Sequence, residues 1–170
     1  MTILASKSGL TVEERLDVQE LFANYCWALN TGDADSYVEC FTRDGWLEHF
    51  PPKRWVGRDE IRKMIDGVWY GRQFSFLGRQ HHPHNFLLQR EDHLVAAKVQ
   101  CSVTRLDPFN NTFSMFLLCH WDATCLIEDA RWRFASLRLT HWFRHETPWQ
   151  GDQKARLVLP GDDKKKAGEF

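Results

Sequence analysis

The sequence predicts an α+β fold: a cone-shaped, strongly curved antiparallel sheet, with N-terminal helices closing one pocket. Three observations predict it. Segments with apolar residues at three- and four-residue spacing all lie at or before Val68, while four long β-rich stretches joined by short turns occupy 85–145. Helices first and strands last is the α+β order. Eight Trp and twelve Phe in 170 residues exceed what a core of this size needs, so some rings line a cavity or an oligomer interface.

Thr11-Val-Glu-Glu14 is a capping box, a hydroxyl acceptor followed three residues on by a carboxylate. Behind it Leu16, Val18, Leu21, Phe22, Tyr25 and Leu29 form one apolar stripe, predicting a helix of about five turns. Gly32 ends it, because glycine accepts the left-handed conformation after a helix C-terminus. Asp33 caps a short helix over Ala34–Phe41, and Arg43-Asp44-Gly45 reads as a turn. Trp46–Phe50 reads as a strand, interrupted by Pro51-Pro52 and resumed at Arg54–Val56. Asp59–Val68 is a third helix, with Ile61, Met64, Ile65 and Val68 on one side.

The β-rich stretches are Asn85–Gln89, Val95–Leu106, Phe113–Ile127 and Trp132–His145, separated by polar turn signals. Residues 10–148 are expected to form one domain, and 149–170, charged and small, a flexible tail. The apolar run Phe113–Cys119 fits either an oligomer face or a strand buried under the helices.

Composition excludes several function classes. Lys plus Arg is 22 and Asp plus Glu is 23, so no basic surplus points to nucleic acid or to an anionic membrane. No apolar run approaches the roughly 18 residues a membrane helix needs. The five Cys make no CxxC pair, and Met1–Gly9 carries no apolar core of a signal peptide. Reduced, buried thiols and a cytoplasmic location are expected. There is no GxGxxG, P-loop, GxSxG or HExxH motif.

Chemistry is concentrated in Arg79-Gln-His-His-Pro-His84-Asn85, a polar insertion beside an apolar strand. An imidazole titrates near neutrality and suits a general base; three solvent-facing histidines on a loop are the plain alternative. Pro83 disturbs regular strand geometry there, and no carboxylate sits at a ligand spacing, so no metal site is expected. Tyr25 lies on the first helix's apolar stripe, as a core residue or as a donor to a substrate oxygen. Asn30 is a helix end, or an amide that orients a histidine. In the last strand Ser136, Arg138, Thr140 and Trp142 share one face, and Leu137, Leu139, His141 and Phe143 the other. A single bulge decides which face looks inward. An inward Arg138 binds an anionic or phenolic oxygen; an outward one is a surface charge.

Val18-Gln-Glu-Leu-Phe-Ala-Asn-Tyr-Cys-Trp-Ala-Leu-Asn-Thr-Gly-Asp33, then Cys40-Phe-Thr-Arg-Asp-Gly-Trp46 and Val56-Gly-Arg-Asp-Glu-Ile61, resemble the SnoaL-like branch of the nuclear-transport-factor-2-like superfamily. So do His81-His82 with Asn85, and Ala130-Arg-Trp-Arg-Phe134. The resemblance spans roughly residues 12–145. The branch holds scytalone dehydratase and other lyases, with isomerases, cyclases and hydrolases, and also non-catalytic small subunits of ring-hydroxylating dioxygenases. It implies a cofactor-free lyase acting on a small, hydrophobic, aromatic molecule, assembled as a homodimer or homotrimer. By this resemblance His81 moves the proton and Tyr25 polarises the substrate, while Asn30 replaces the aspartate that usually supports the histidine. Arg138 completes the expected catalytic set; Arg79, His82, Trp46 and Trp142 are the expected substrate-binding residues. An open cavity with His81 and Tyr25 pointing inward favours catalysis, and a cone plugged by Trp and Phe an accessory role.

Overall fold

A computed structural model of the chain describes residues 8–49, 53–71, 78–107 and 109–142. Three helices and six strands follow in the order α1 (Val12–Thr31), α2 (Ala34–Glu39), β1 (Phe41–His49), β2 (Arg54–Val56), α3 (Arg58–Gly71), β3 (Arg79–Glu91), β4 (Leu94–Asp107), β5 (Thr112–Glu128) and β6 (Arg131–His141). The strands make one curved, unclosed sheet in the order β2-β1-β6-β5-β4-β3. Strands β3 to β6 are an antiparallel meander, while β1 lies parallel to β6.

The capping box starts α1 as its residue types require. Thr11 Oγ1 accepts the Glu14 N–H at 3.1 Å, and the Glu14 carboxylate accepts the Thr11 N–H at 2.9 Å. Gly32 closes the helix at φ 77°, where a Cβ would be strained. Val18, Leu21, Phe22, Tyr25 and Leu29 are buried. Leu16 is not: it is 59% exposed, so the buried stripe begins at Val18, two residues later than the spacing predicts.

Two boundaries differ from the sequence reading. Phe41 opens β1 instead of ending α2, and Arg43-Asp44-Gly45 lies inside β1. There the pairing with β6 slips between Phe41 and Trp46. Gly45 permits the slip, because a Cβ on it would sit 2.7 Å from the Phe134 carbonyl oxygen. More consequentially, β3 begins at Arg79 and not at Asn85, so the histidine segment is strand. Pro83 is tolerated because β3 is the last strand of the sheet among the described residues, where a missing N–H disrupts least. It pairs in register with Cys101, and the irregularity falls instead between His84 and Leu87, with Asn85 at φ 53°. Phe50, Pro51, Pro52 and the proposed 149–170 tail lie outside the described residues.

The core lies between the helices and one face of the sheet. Phe22 stacks on Trp121 at 6.1 Å and meets the edge of Phe134 at 4.9 Å. Strand β4 turns Val95, Ala97, Val99, Cys101 and Val103 inward. The first half of β5 behaves otherwise: Phe113, Met115 and Leu118 are exposed, while Leu117 and Cys119 go under. All five Cys are buried, unpaired thiols. No helix among the described residues is long and apolar enough to cross a membrane.

Candidate active site

Between the helices and the inner face of the sheet lies a cavity of about 760 Å³. Helix α1 contributes Tyr25 and Leu29, α2 contributes Tyr37, and α3 contributes Met64 and Val68. Its sheet wall includes His49, Arg79, His81, Trp121 and His141.

Strand alternation aims His81 inward and His82 outward. The C-terminal turn of α1 brings Asn30 against the first residues of β3. Asn30 Oδ1 accepts the backbone N–H of His81 at 3.1 Å and lies 2.7 Å from its Nδ1. The backbone donor settles the amide's orientation, since only an oxygen can accept it. The same oxygen then requires a proton on Nδ1, leaving the Nε2 lone pair as the basic site. An aspartate here would also supply negative charge; Asn30 supplies the geometry alone. Burial pushes the His81 imidazole down to about 3, and Arg79 and the neighbouring His82, His49 and His141 push the same way. His81 is therefore neutral at physiological pH.

The Tyr25 and Tyr37 hydroxyls lie 3.1 Å apart with both rings buried. Burial holds both phenols above their ordinary range, so each remains a neutral donor. Within the pair one O–H is directed at the other oxygen, and the remaining O–H is available to a guest. Tyr37 was not singled out from the sequence. Its sequence signal is the three-residue spacing of Ala34 and Tyr37, which puts both on one side of α2, the side that is buried.

A second pair was also missed. His49 on β1 and His141 on β6 meet Nε2 to Nε2 at 3.1 Å, with rings at 76°. Burial, then Arg79, hold His141 down at about 4. The alternation Leu137, Leu139, His141 carried the signal; it needed only the correct face. Arg79 lines the same wall, with its guanidinium 4.1 Å from the Phe116 ring centroid.

Four expected site residues fall elsewhere, which corrects the sequence reading. Arg138 and Trp46 occupy the opposite face of the sheet. The β5–β6 register slips between Thr124 and Cys125, ahead of Ser136, so residues 136–141 alternate regularly with Leu137 and Leu139 buried. Arg138 Nε donates to Glu48 at 2.5 Å, and Arg54 stacks 3.9 Å from the Trp46 centroid while also bonding Glu48. Trp142 donates its indole N–H to His120 Nδ1 at 2.8 Å. The exposed His82 ring meets Thr104 Oγ1 at 3.0 Å. His81, Tyr25 and Arg79 line the cavity, and Asn30 supports it from behind. Among the described residues no group of three or more His, Cys, Asp or Glu side chains is placed to hold a metal ion.

A neutral imidazole on a fixed tautomer and a phenol pair, in a wall of mixed polar and aromatic groups, suit proton transfer beside an oxygen on which charge develops. Comparison with known proteins gives the wider setting. Residues 10–138 match the family model described as the SnoaL-like domain. Similar solved structures include an NTF2-like protein with a cystatin-like fold from Novosphingobium aromaticivorans, at 23% identity and TM-score 0.67, covering 85% of this chain and 88% of that one. A provisionally named scytalone dehydratase from the same organism has 16% identity and TM-score 0.66, over 78% and 86%. A cystatin-like protein of unknown function from Nostoc punctiforme has 17% identity and TM-score 0.68, over 78% and 93%. No protein of curated function matches the chain.

Proposed function

We propose that this chain, which belongs to the SnoaL-like domain family, is a cofactor-free lyase that eliminates a group from a small, hydrophobic, aromatic molecule. His81 Nε2 removes a proton from carbon. The C–H electron pair becomes the new double bond as the adjacent C–O bond breaks. The proton held on the imidazolium leaves with the departing oxygen, as water when the leaving group is hydroxide. The Tyr25–Tyr37 pair donates its remaining O–H to the substrate oxygen that gathers charge. The observation that carries this reading is the double contact of Asn30 Oδ1 with His81, which fixes the tautomer a base requires.

The test is turnover of a panel of aryl β-hydroxy ketones, followed by the absorbance of the enone. Replacing His81 with Ala should slow the active member of the panel by about 10²–10⁴-fold. An unchanged rate removes His81 from the mechanism. An isomerase would use the same groups and return the proton to another carbon of the same molecule.

A second reading has its own observation. An imidazole held near 3 beside a neutral amide is a weak base, as suits a ligand-binding or accessory subunit. The open cavity, walled by polar as well as aromatic groups, favours catalysis instead. We further propose a homodimer or homotrimer, tested by sedimentation equilibrium.

A further inference from the structure

We infer that the cavity takes a substrate bearing a carboxylate, seated against Arg79 and the His49–His141 pair. The inference rests on the lyase reading for the cavity and adds a substrate class to it. Three strands bring the groups together. Arg79 comes from the start of β3, and its guanidinium lies over Phe116 of β5. His141 pairs in register with Cys119 of β5, and His49 reaches it from β1. All three line the cavity, as do the apolar Val103, Leu117 and Leu139.

Among the described lining residues the cations Lys53, Lys63 and Arg79 outnumber the carboxylates. Among the described lining residues the only carboxylate is Glu60, and it is paired with Lys63 at 2.9 Å. Lys53 adds a further cation at the rim, 5.0 Å from the Trp55 ring centroid. A guanidinium forks onto a carboxylate. The imidazole pair holds a proton between its two Nε2 atoms and can accept a second when an anion compensates it.

The titratable groups around the pair are few. From the helices Tyr25, Tyr37, Glu60 and Lys63 face the cavity; from the strands Arg79, His81 and Cys119 do so; Lys53 precedes β2. Burial depresses both His81 and His141, and the Arg79 charge adds to it; a bound carboxylate would offset that second contribution. The substrate would thus bring the negative charge that Asn30 does not provide.

The test is calorimetric binding of 2-naphthoate and its neutral isostere 2-naphthamide to the full chain at pH 6, in two buffers of different ionisation enthalpy. The expected result is naphthoate bound at least ten-fold tighter, with net proton uptake that naphthamide lacks. Arg79→Gln should erase the preference, and His141→Gln should erase the uptake. Equal affinity of the wild type for both probes overturns the inference, as does a preference that survives in a folded Arg79→Gln. Preference without proton uptake overturns the part given to the histidine pair. If Arg79→Gln does not fold, the wild-type comparison decides alone. His81→Ala should keep the preference, so failure of the lyase chemistry and failure of the carboxylate site are read separately.

Discussion

One oxygen joins Asn30 to His81: Oδ1 takes both the backbone N–H and the Nδ1–H of the histidine. The helix end therefore fixes the start of β3 and the tautomer of its imidazole at once. Removing that oxygen with Asn30→Ala should lower kcat about 10–100-fold, as expected for a lost buried hydrogen bond of roughly 1–3 kcal/mol. Asn30→Asp keeps the geometry and adds charge. It should raise the His81 pKa from about 3 toward neutrality. Turnover of Asn30→Ala checks the first statement, and histidine NMR titration of Asn30→Asp the second.

The phenol pair predicts non-additive kinetics. Tyr25→Phe and Tyr37→Phe should each lower kcat about 10-fold or more, since each breaks the same arrangement. The double variant should be little worse than either single one. Independent, multiplying effects would show that the two hydroxyls act apart.

The opposite face predicts indifference. Arg138→Ala should leave turnover within about two-fold, because Arg138 bonds Glu48 away from the cavity. Glu48 is only 5% exposed, and its carboxyl is held below its usual range by Arg54 first and also by Arg138. Its loss should matter for folding instead: Glu48→Ala should lower the urea midpoint more than Arg138→Ala does, because it removes the shared acceptor of both half-exposed arginines.

The half-buried imidazoles predict an acid-sensitive fold. An unfolded chain protonates histidine near 6.5, whereas His141 resists until about 4 and His81 until about 3. The unfolded state therefore binds more protons below 6.5, and stability falls as pH drops from there. Urea unfolding at pH 7 and pH 5 should show a lower midpoint at pH 5, with a smaller drop in His141→Gln.

Fold class, helix caps and meander were legible because each rests on local spacing: Thr11 and Glu14, Gly32, the alternation through β4. His81, Tyr25 and Asn30 were legible through their place in the family pattern. The misses are of another kind. Arg138 was misplaced because the inward face of β6 depends on a register slip next to Phe134, and Trp46 because that of β1 depends on the slip between Phe41 and Trp46, neither of which alternation alone can locate. His49 and His141 are far apart in the chain, and only the parallel pairing of β1 with β6 brings them together. Pro83 made a strand resemble a loop.

That proline has a wider consequence. An outermost strand offers its unsatisfied backbone to any passing chain that can extend the sheet. Among the described residues the strand bearing His81 is such a margin, and Pro83 together with the left-handed Asn85 spoils it as a template. Substituting Pro83 by a β-branched residue would smooth the margin and invite fibrous self-association.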